Sequence, residues 1–231
     1  MHIAGFRKTT LLDYPHKIAA TIFLAGCNFS CPFCHNSGLI KNSSNSLSIS
    51  KDEIFQYLKK RQSILEGVCI TGGEATLNPD LPEFIQEIKA LNYLVKLDTN
   101  GSNPNMLASL ISNQLIDYVA MDIKNSPENY DKTSGCKVDL SAISKSIELL
   151  LSNKIEYEFR TTVVKGLHTT DDFLKIGPWI DGAKQYFLQG FIESEQVLCK
   201  NMFSSFDRKS LEEFCFLLEP HVKSISIRGV D

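Results

Sequence analysis

A chain of 231 residues, 43% hydrophobic and 22% charged, has ordinary globular composition and enough length to bury a core as one α/β domain or two small ones. Its net charge of -3 and its lack of long Lys or Arg runs leave no electrostatic footprint for a phosphate backbone, so no nucleic-acid partner is expected. No apolar run approaches the ~20 residues that span a bilayer, and the opening lacks the charged-then-apolar pattern of a secretory signal; the expectation is a cytoplasmic protein with no membrane contact.

In chain order, short apolar and β-branched runs predict strands at 18–26, 67–73, 93–101, 116–124, 157–164, 186–191 and 222–229. Their lack of strict polar alternation suits strands covered on both faces. Helical patterns fall between them at 51–65, 81–91, 104–114, 141–152, 170–181 and 208–218. Ser50 with Glu53 reads as a capping box, and Asp80 with Glu83 as another, with Pro82 in the first turn where its missing N–H costs little.

This alternation predicts right-handed crossovers and strands that are all parallel except, at most, the last. About six strand–helix units fall short of the eight that close a barrel. The predicted fold is therefore α/β: a partial (β/α)6 TIM-like barrel, with a doubly wound sheet as the second choice. One domain over 1–231 is expected, with a core at about 17–191 and a C-terminal extension at about 192–231. In either architecture the loops after the strand C-termini form the working face.

Seven cysteines, at 27, 31, 34, 69, 136, 199 and 215, are an odd number and, in a reducing compartment, no disulfide framework. Cys69, Cys136, Cys199 and Cys215 are scattered and read as buried or incidental thiols. The other three fall in "CNFSCPFCH" (27–35), directly after the first predicted strand. Four thiolates would close a metal site, whereas three leave one coordination position for a ligand. Zinc could take Cys27, Cys31, Cys34 and His35 as a closed structural site, although adjacent Cys34 and His35 fold awkwardly onto one ion. A four-iron cluster needs the three thiols alone. Spacing by itself leaves both metals open.

A Cys-x3-Cys-x2-Cys loop with an aromatic residue, Phe33, before the third Cys resembles the signature of the radical S-adenosylmethionine (SAM) enzymes. The resemblance implies a 4Fe-4S cluster on Cys27, Cys31 and Cys34, with the amino and carboxylate groups of SAM on the fourth iron. Phe33 would then lie against the adenine; alternatively it is a hydrophobic plug under the loop.

Further motifs stand at successive strand ends. In "ITGGEATL" (70–77), Gly72 and Gly73 would let a ligand approach the backbone, and Glu74 would receive the methionine ammonium. Asp98 in "LDTNG" and Asp122 in "MDIK" would share one rim, where two carboxylates repel unless a positive group lies between them. Thr99 and Asn100 belong to the same turn. Lys124 is a candidate donor to the SAM carboxylate, and Arg160, in "EFRTTVV", a candidate for a bidentate contact with it or for a ribose-side hydrogen bond. His168, in "GLHTTDD", reads as a loop hydrogen-bonder rather than a ligand.

"GGEATL", "LDTNG", the opening "GFRKTTLLDYPHKIAATIFLAGCNFSCPFCHNSGLI" and "YFLQGF" resemble the glycyl-radical-enzyme activases, most of all those serving anaerobic ribonucleoside-triphosphate reductase. The similarity runs from about residue 3 to residue 191. It implies a monovalent cation beside SAM at Asp98, Thr99 and Asp122, a glycyl radical enzyme as partner, and reduced flavodoxin or ferredoxin as electron donor. One electron would break the S–C5' bond of SAM to give methionine and a 5'-deoxyadenosyl radical, which takes a Cα hydrogen from a glycine of the partner. No side chain is needed as general acid, base or nucleophile. The segment Gly5 to Tyr14 and the C-terminus are expected to frame the docking surface. The alternatives are an activase of pyruvate formate-lyase or another glycyl radical enzyme, a small-molecule enzyme such as 7-carboxy-7-deazaguanine synthase, and a zinc-stabilised module without catalysis. Ala75 and Asp98 speak against the deazaguanine enzymes, which usually have proline and glutamate at those places.

Overall fold

The computed structural model describes residues 1–40 and 48–230. Its fold is α/β, with eight strands that follow one another in the sheet in chain order and no closing pair among the described residues. This is the open, mostly parallel arrangement that the strand–helix alternation predicts.

The chain divides into two compact units. The first comprises 1–28, 38–99 and 105–119. Here β1 (Ile3–Thr10) runs antiparallel to β2 (Ala19–Leu24), which is parallel to β3 (Gly67–Gly72), itself parallel to β4 (Leu94–Thr99). β2 and β3 are almost wholly buried, as expected of strands covered on both faces. The helices α1 (Lys51–Arg61) and α2 (Leu81–Lys89) provide the crossovers. α2 buries Leu81, Phe84, Ile85 and Ile88 on one face, the i, i+3, i+4, i+7 stripe of an amphipathic helix. α3 (Pro104–Ser112) follows β4, and β5 (Tyr118–Asp122) comes next.

The second unit comprises 29–37, 100–104 and 120–231. In it β6 (Glu156–Val163), β7 (Tyr186–Gly190) and β8 (Ile225–Arg228) are successive parallel neighbours. Its α-helices among the described residues are α4 (Tyr130–Ser134), α5 (Leu140–Leu151), α6 (Thr170–Trp179) and α7 (Arg208–Leu218).

Two sequence expectations are corrected. The antiparallel strand is the first, not the last: the stretch between β1 and β2 forms no helix, whereas β8 is reached through α7 and so returns parallel. Much of Gly5 to Tyr14, the segment expected to frame a docking surface, is β1 itself, with Leu11 and Leu12 exposed beyond it and Tyr14 buried against Gly67. Asp80 makes no side-chain cap for α2 and instead accepts from the Met1 amine at 2.9 Å. Ser50 does cap α1, accepting from Glu53 N at 3.1 Å. Among the described residues no helix is long and apolar enough to cross a membrane.

Candidate functional site

In the first unit the backbone leaves β2 and runs alongside the end of β3. Gly73 N donates to Leu24 O and Glu74 N to Gly26 O, both at 2.8 Å, while Gly26 N donates to Leu39 O at 2.7 Å. The Gly-Gly-Glu stretch is thereby fastened beside Cys27. The glycines have a packing reason that the sequence did not reveal. A Cβ on Gly72 would lie 2.3 Å from Leu24 O, and one on Gly73 2.1 Å from Gly26 O; Gly72 also holds a φ of +124°, which L side chains avoid.

Glu74 is fully buried. Its Oε1 accepts from Thr76 N at 3.1 Å, Thr76 Oγ1 at 2.5 Å and Thr99 Oγ1 at 2.8 Å. A carboxylate at the end of β3 thus binds the end of β4. Next to Thr99, Asp98 is ion-paired with Lys96, whose side chain is only 2% exposed. Lys96 and Asp98 are two apart on one strand and so share a face. Cys69 adds its thiol to the pair, at 3.8 Å from both Lys96 Nζ and Asp98 Oδ1. Lys96 was missed by the sequence reading, although the i, i+2 spacing was a signal for it.

In the second unit Asp122, at the end of β5, holds two cations: Lys124 Nζ at 2.9 Å on Oδ2 and Arg160 Nε at 3.0 Å on Oδ1. Burial alone would raise the Asp122 carboxyl, but the Arg160 and Lys124 charges outweigh it and bring it down to about 2. Burial alone would lower Lys124; the Asp122 charge reverses this, with the Cys31 thiolate adding to it, and keeps the ammonium charged. The repulsion expected between Asp98 and Asp122 is met by each carboxylate's own lysine, so charge balance is no argument for a further cation.

His168 fixes Lys124 from below. Fully buried, its Nδ1 accepts from Val164 N at 3.1 Å, which leaves Nε2–H to donate to Lys124 O at 2.9 Å. Burial pushes its pKa down, against the pull of these backbone bonds. It is the loop hydrogen-bonder that its surroundings in the sequence predict.

The loop bearing Cys31 and Cys34 is held by backbone bonds. Cys34 N donates to Cys31 O at 3.0 Å and Ser30 N to Ser134 O at 2.9 Å. Leu198 N reaches Cys34 O at 3.2 Å and Cys199 N reaches Pro32 O at 2.8 Å, while Ser37 Oγ donates to Gln196 O at 2.6 Å. Residues 196–199, in the C-terminal extension, therefore clamp this loop. Phe33 is 5% exposed, and Asn100 closes its own turn by accepting from Ser102 N at 2.9 Å. His35 commits Nε2 to Ile192 O at 2.5 Å and lies on Phe191. Burial pushes the Cys34 thiol up, opposed by the Asn36 backbone and the Lys124 charge. Among the described residues no three His, Cys, Asp or Glu side chains are gathered closely enough to hold a metal ion; what the loop offers is soft thiol donors, the ligand type that thiolate-bound metal centres use.

The comparisons with known proteins agree with this chemistry. Residues 21–176 match the model of the Radical SAM superfamily. A Methanocaldococcus jannaschii protein, provisionally named a glycyl-radical enzyme activating enzyme, is 34% identical over 194 residues, covering 82% of this chain and 79% of that one. A Thermococcus kodakarensis protein, provisionally named a GTP 3',8-cyclase, is 31% identical over 62% of this chain and 46% of its own length. Among solved structures, Streptococcus suis SuiB bound to S-adenosylmethionine superposes with a TM-score of 0.68 at 11% identity, over 90% of this chain and 52% of that one. A domain of a pyruvate-formate lyase-activating enzyme from Bacteroides vulgatus gives 0.57 at 14% identity, over 71% of this chain and 99% of that domain. At such identities these two likenesses show a shared fold, and the chain spans about half of SuiB. The superfamily implies a 4Fe-4S cluster and SAM as the working cofactors, and the chain belongs to the radical SAM superfamily of enzymes.

Proposed function

We propose that this enzyme is a glycyl-radical-enzyme activase whose partner is anaerobic ribonucleoside-triphosphate reductase. The observation that carries the activase reading is the 34% identical relative, which is named a glycyl-radical enzyme activating enzyme and matched over most of its length; the reductase as partner rests on the motif resemblance alone. Cys27, Cys31 and Cys34 would hold the cluster, which when bound supplies the electron that cleaves SAM. The chain's own residues orient and shield. Gly72, Gly73 and Glu74 carry the backbone past Cys27, Phe33 and Asn100 stiffen the loop and turn, and Lys124 and Arg160, both fixed by Asp122, present positive charge to the carboxylate of SAM. A monovalent cation at Asp98, Thr99 and Asp122 stays in the reading through the family resemblance alone, and flavodoxin or ferredoxin is the electron donor.

A cavity of about 220 Å³ at the ends of β6, β7 and β8 is lined by His35, Thr162, Gln189, Gly190, Arg228 and Gly229, and the Arg228 guanidinium is held bidentately by Glu158, at 3.0 and 3.1 Å.

The test is anaerobic reconstitution with iron and sulfide, reduction by dithionite with SAM, and assay for 5'-deoxyadenosine, with Cys31→Ala as control. The reductase is then added and the glycyl radical read by electron paramagnetic resonance. Cleavage that the control abolishes, followed by a radical on the reductase, is the expected result. Stoichiometric zinc without cleavage would overturn the cluster reading, and conversion of GTP to a cyclised product would transfer the activity to the cyclase class.

A further inference from the structure

Lys96 lies within β4 with its side chain only 2% exposed. A lysine is almost never buried to this extent unless its charge is paired. Two groups receive the ammonium: the Asp98 carboxylate, as an ion pair, and Cys69 Sγ at 3.8 Å. Cys69 stands directly beside Lys96 in the register of β3 and β4, and its thiol also lies 3.8 Å from Asp98 Oδ1. The three side chains form one cluster inside the first unit, fixed by strand pairing rather than by a loop.

The family resemblance assigns Asp98 and Thr99, with Asp122, to a monovalent cation, but the residues present do not fit that ion. Asp98 already holds a positive charge on Oδ1, in a site where burial leaves little water to screen a second one. Asp98 and Thr99 are consecutive in a strand and so send their side chains to opposite faces: Thr99 Oγ1 donates to Glu74 Oε1 at 2.8 Å, while Asp98 turns to Lys96. Asp122, in the second unit, binds Lys124 and Arg160. Sulfur is the third member of the Lys96 cluster, and hard cations take oxygen ligands instead, whereas an ammonium N–H can donate to a thiol and a carboxylate alike.

We propose that Lys96 is a positioning residue whose ammonium takes the place of the monovalent cation at Asp98, so that this chain needs neither sodium nor potassium. The consequence for catalysis rests on the proposed cluster and SAM chemistry; the ion pair itself does not. A tethered ammonium supplies the same single charge as an alkali ion, holds the Asp98 carboxylate in one orientation at the end of β4, and stays in place whatever the salt.

The experiment is urea denaturation of the metal-free chain in sodium, potassium and tetramethylammonium chloride at equal ionic strength. It compares the wild type with Lys96→Ala, which leaves room for an alkali ion beside Asp98. The wild-type midpoint is expected to be no higher in either alkali salt than in tetramethylammonium. The variant is expected to be less stable and to recover part of its loss in sodium or potassium alone. The reconstituted enzyme supplies the second readout: 5'-deoxyadenosine forms at equal rates in the three salts for the wild type, and more slowly, with a requirement for alkali ion, for Lys96→Ala. A wild type that cleaves SAM faster in sodium or potassium than in tetramethylammonium would overturn the proposal, as would a variant as stable and as active as the wild type. Should Lys96→Ala not fold, the wild-type comparison decides by itself. Absence of cleavage in every salt removes the SAM reading instead, and the denaturation arm, which needs no cluster, still tests Lys96.

Discussion

Asp122 concentrates the electrostatics of its unit in a single carboxylate. With Lys124 17% and Arg160 14% exposed, replacing it by Asn leaves two half-buried cations facing each other. Removing one member of a buried ion group costs about 3–5 kcal/mol; with some solvent access, a loss of about 2–3 kcal/mol is expected for Asp122→Asn by urea denaturation. The pH dependence follows from the folded pKa of about 2, below the ordinary value of 3.8. A depressed folded pKa means that the stabilisation is complete above the unfolded value and disappears as pH falls through the folded one. The wild-type advantage over Asp122→Asn should therefore shrink as pH is lowered from about 5 towards 2, while above pH 5 it stays flat. Residues at this scale were legible by position but not by partner. Asp98, Asp122, Lys124 and Arg160 could be placed at strand ends, yet that Asp98 would pair with Lys96, and that Arg160 and Lys124 would share Asp122, depends on side-chain directions that spacing only hints at.

Single elements were read best where a local pattern repeats and worst where a long-range bond decides. The stripe of α2 and the Ser50 cap of α1 follow from i, i+3 and i, i+4 rules, whereas the Asp80 cap failed because the Met1 amine, 79 residues away in sequence, is a better partner than a backbone N–H. The complete capping box lies elsewhere, at α6. Asp172 accepts from Thr169 N and Oγ1, both at 2.8 Å, and also from Ser126 Oγ at 2.6 Å and Asn129 Nδ2 at 2.7 Å. One carboxylate, 1% exposed, thus joins the start of α6 to the turn after β5. Loss of a cap costs about 1 kcal/mol, and each buried partner left unpaired costs about 1–3 kcal/mol more. Asp172→Ala is accordingly expected to lower stability by about 2–4 kcal/mol, with Asp172→Asn closer to wild type; near-equal urea midpoints for Asp172→Ala and wild type would show the network to be dispensable. β1 escaped the sequence reading because its central residues are half-buried and Arg7 to Thr9 are exposed, an edge strand with little hydrophobic signature.

At the scale of the molecule, the C-terminal extension belongs to the working fold. β8 extends the sheet beside β7, and Arg228 fastens it: its guanidinium binds Glu158, only 1% exposed, and lies 3.3 Å from the Phe187 ring centroid. Arg228→Met would strand a buried carboxylate and is expected to cost about 2–3 kcal/mol, with much of the loss recovered in the Glu158→Gln, Arg228→Met double variant. Additive losses in that cycle would mean that the two side chains act independently.

The sequence by itself determined the strand–helix alternation, the open parallel class, the three-thiol loop and the superfamily, because periodicity, turn residues and ligand spacing act within a few residues of chain. Only the tertiary structure decided the direction of β1 and β8, the close backbone approach that makes Gly72 and Gly73 obligatory and the clamp of 196–199 on the cysteine loop. These features follow from which distant segments meet once the crossovers are made. Hydrogen bonds and ion pairs form with whatever side chain is brought within about 3 Å, and sequence separation carries no record of that.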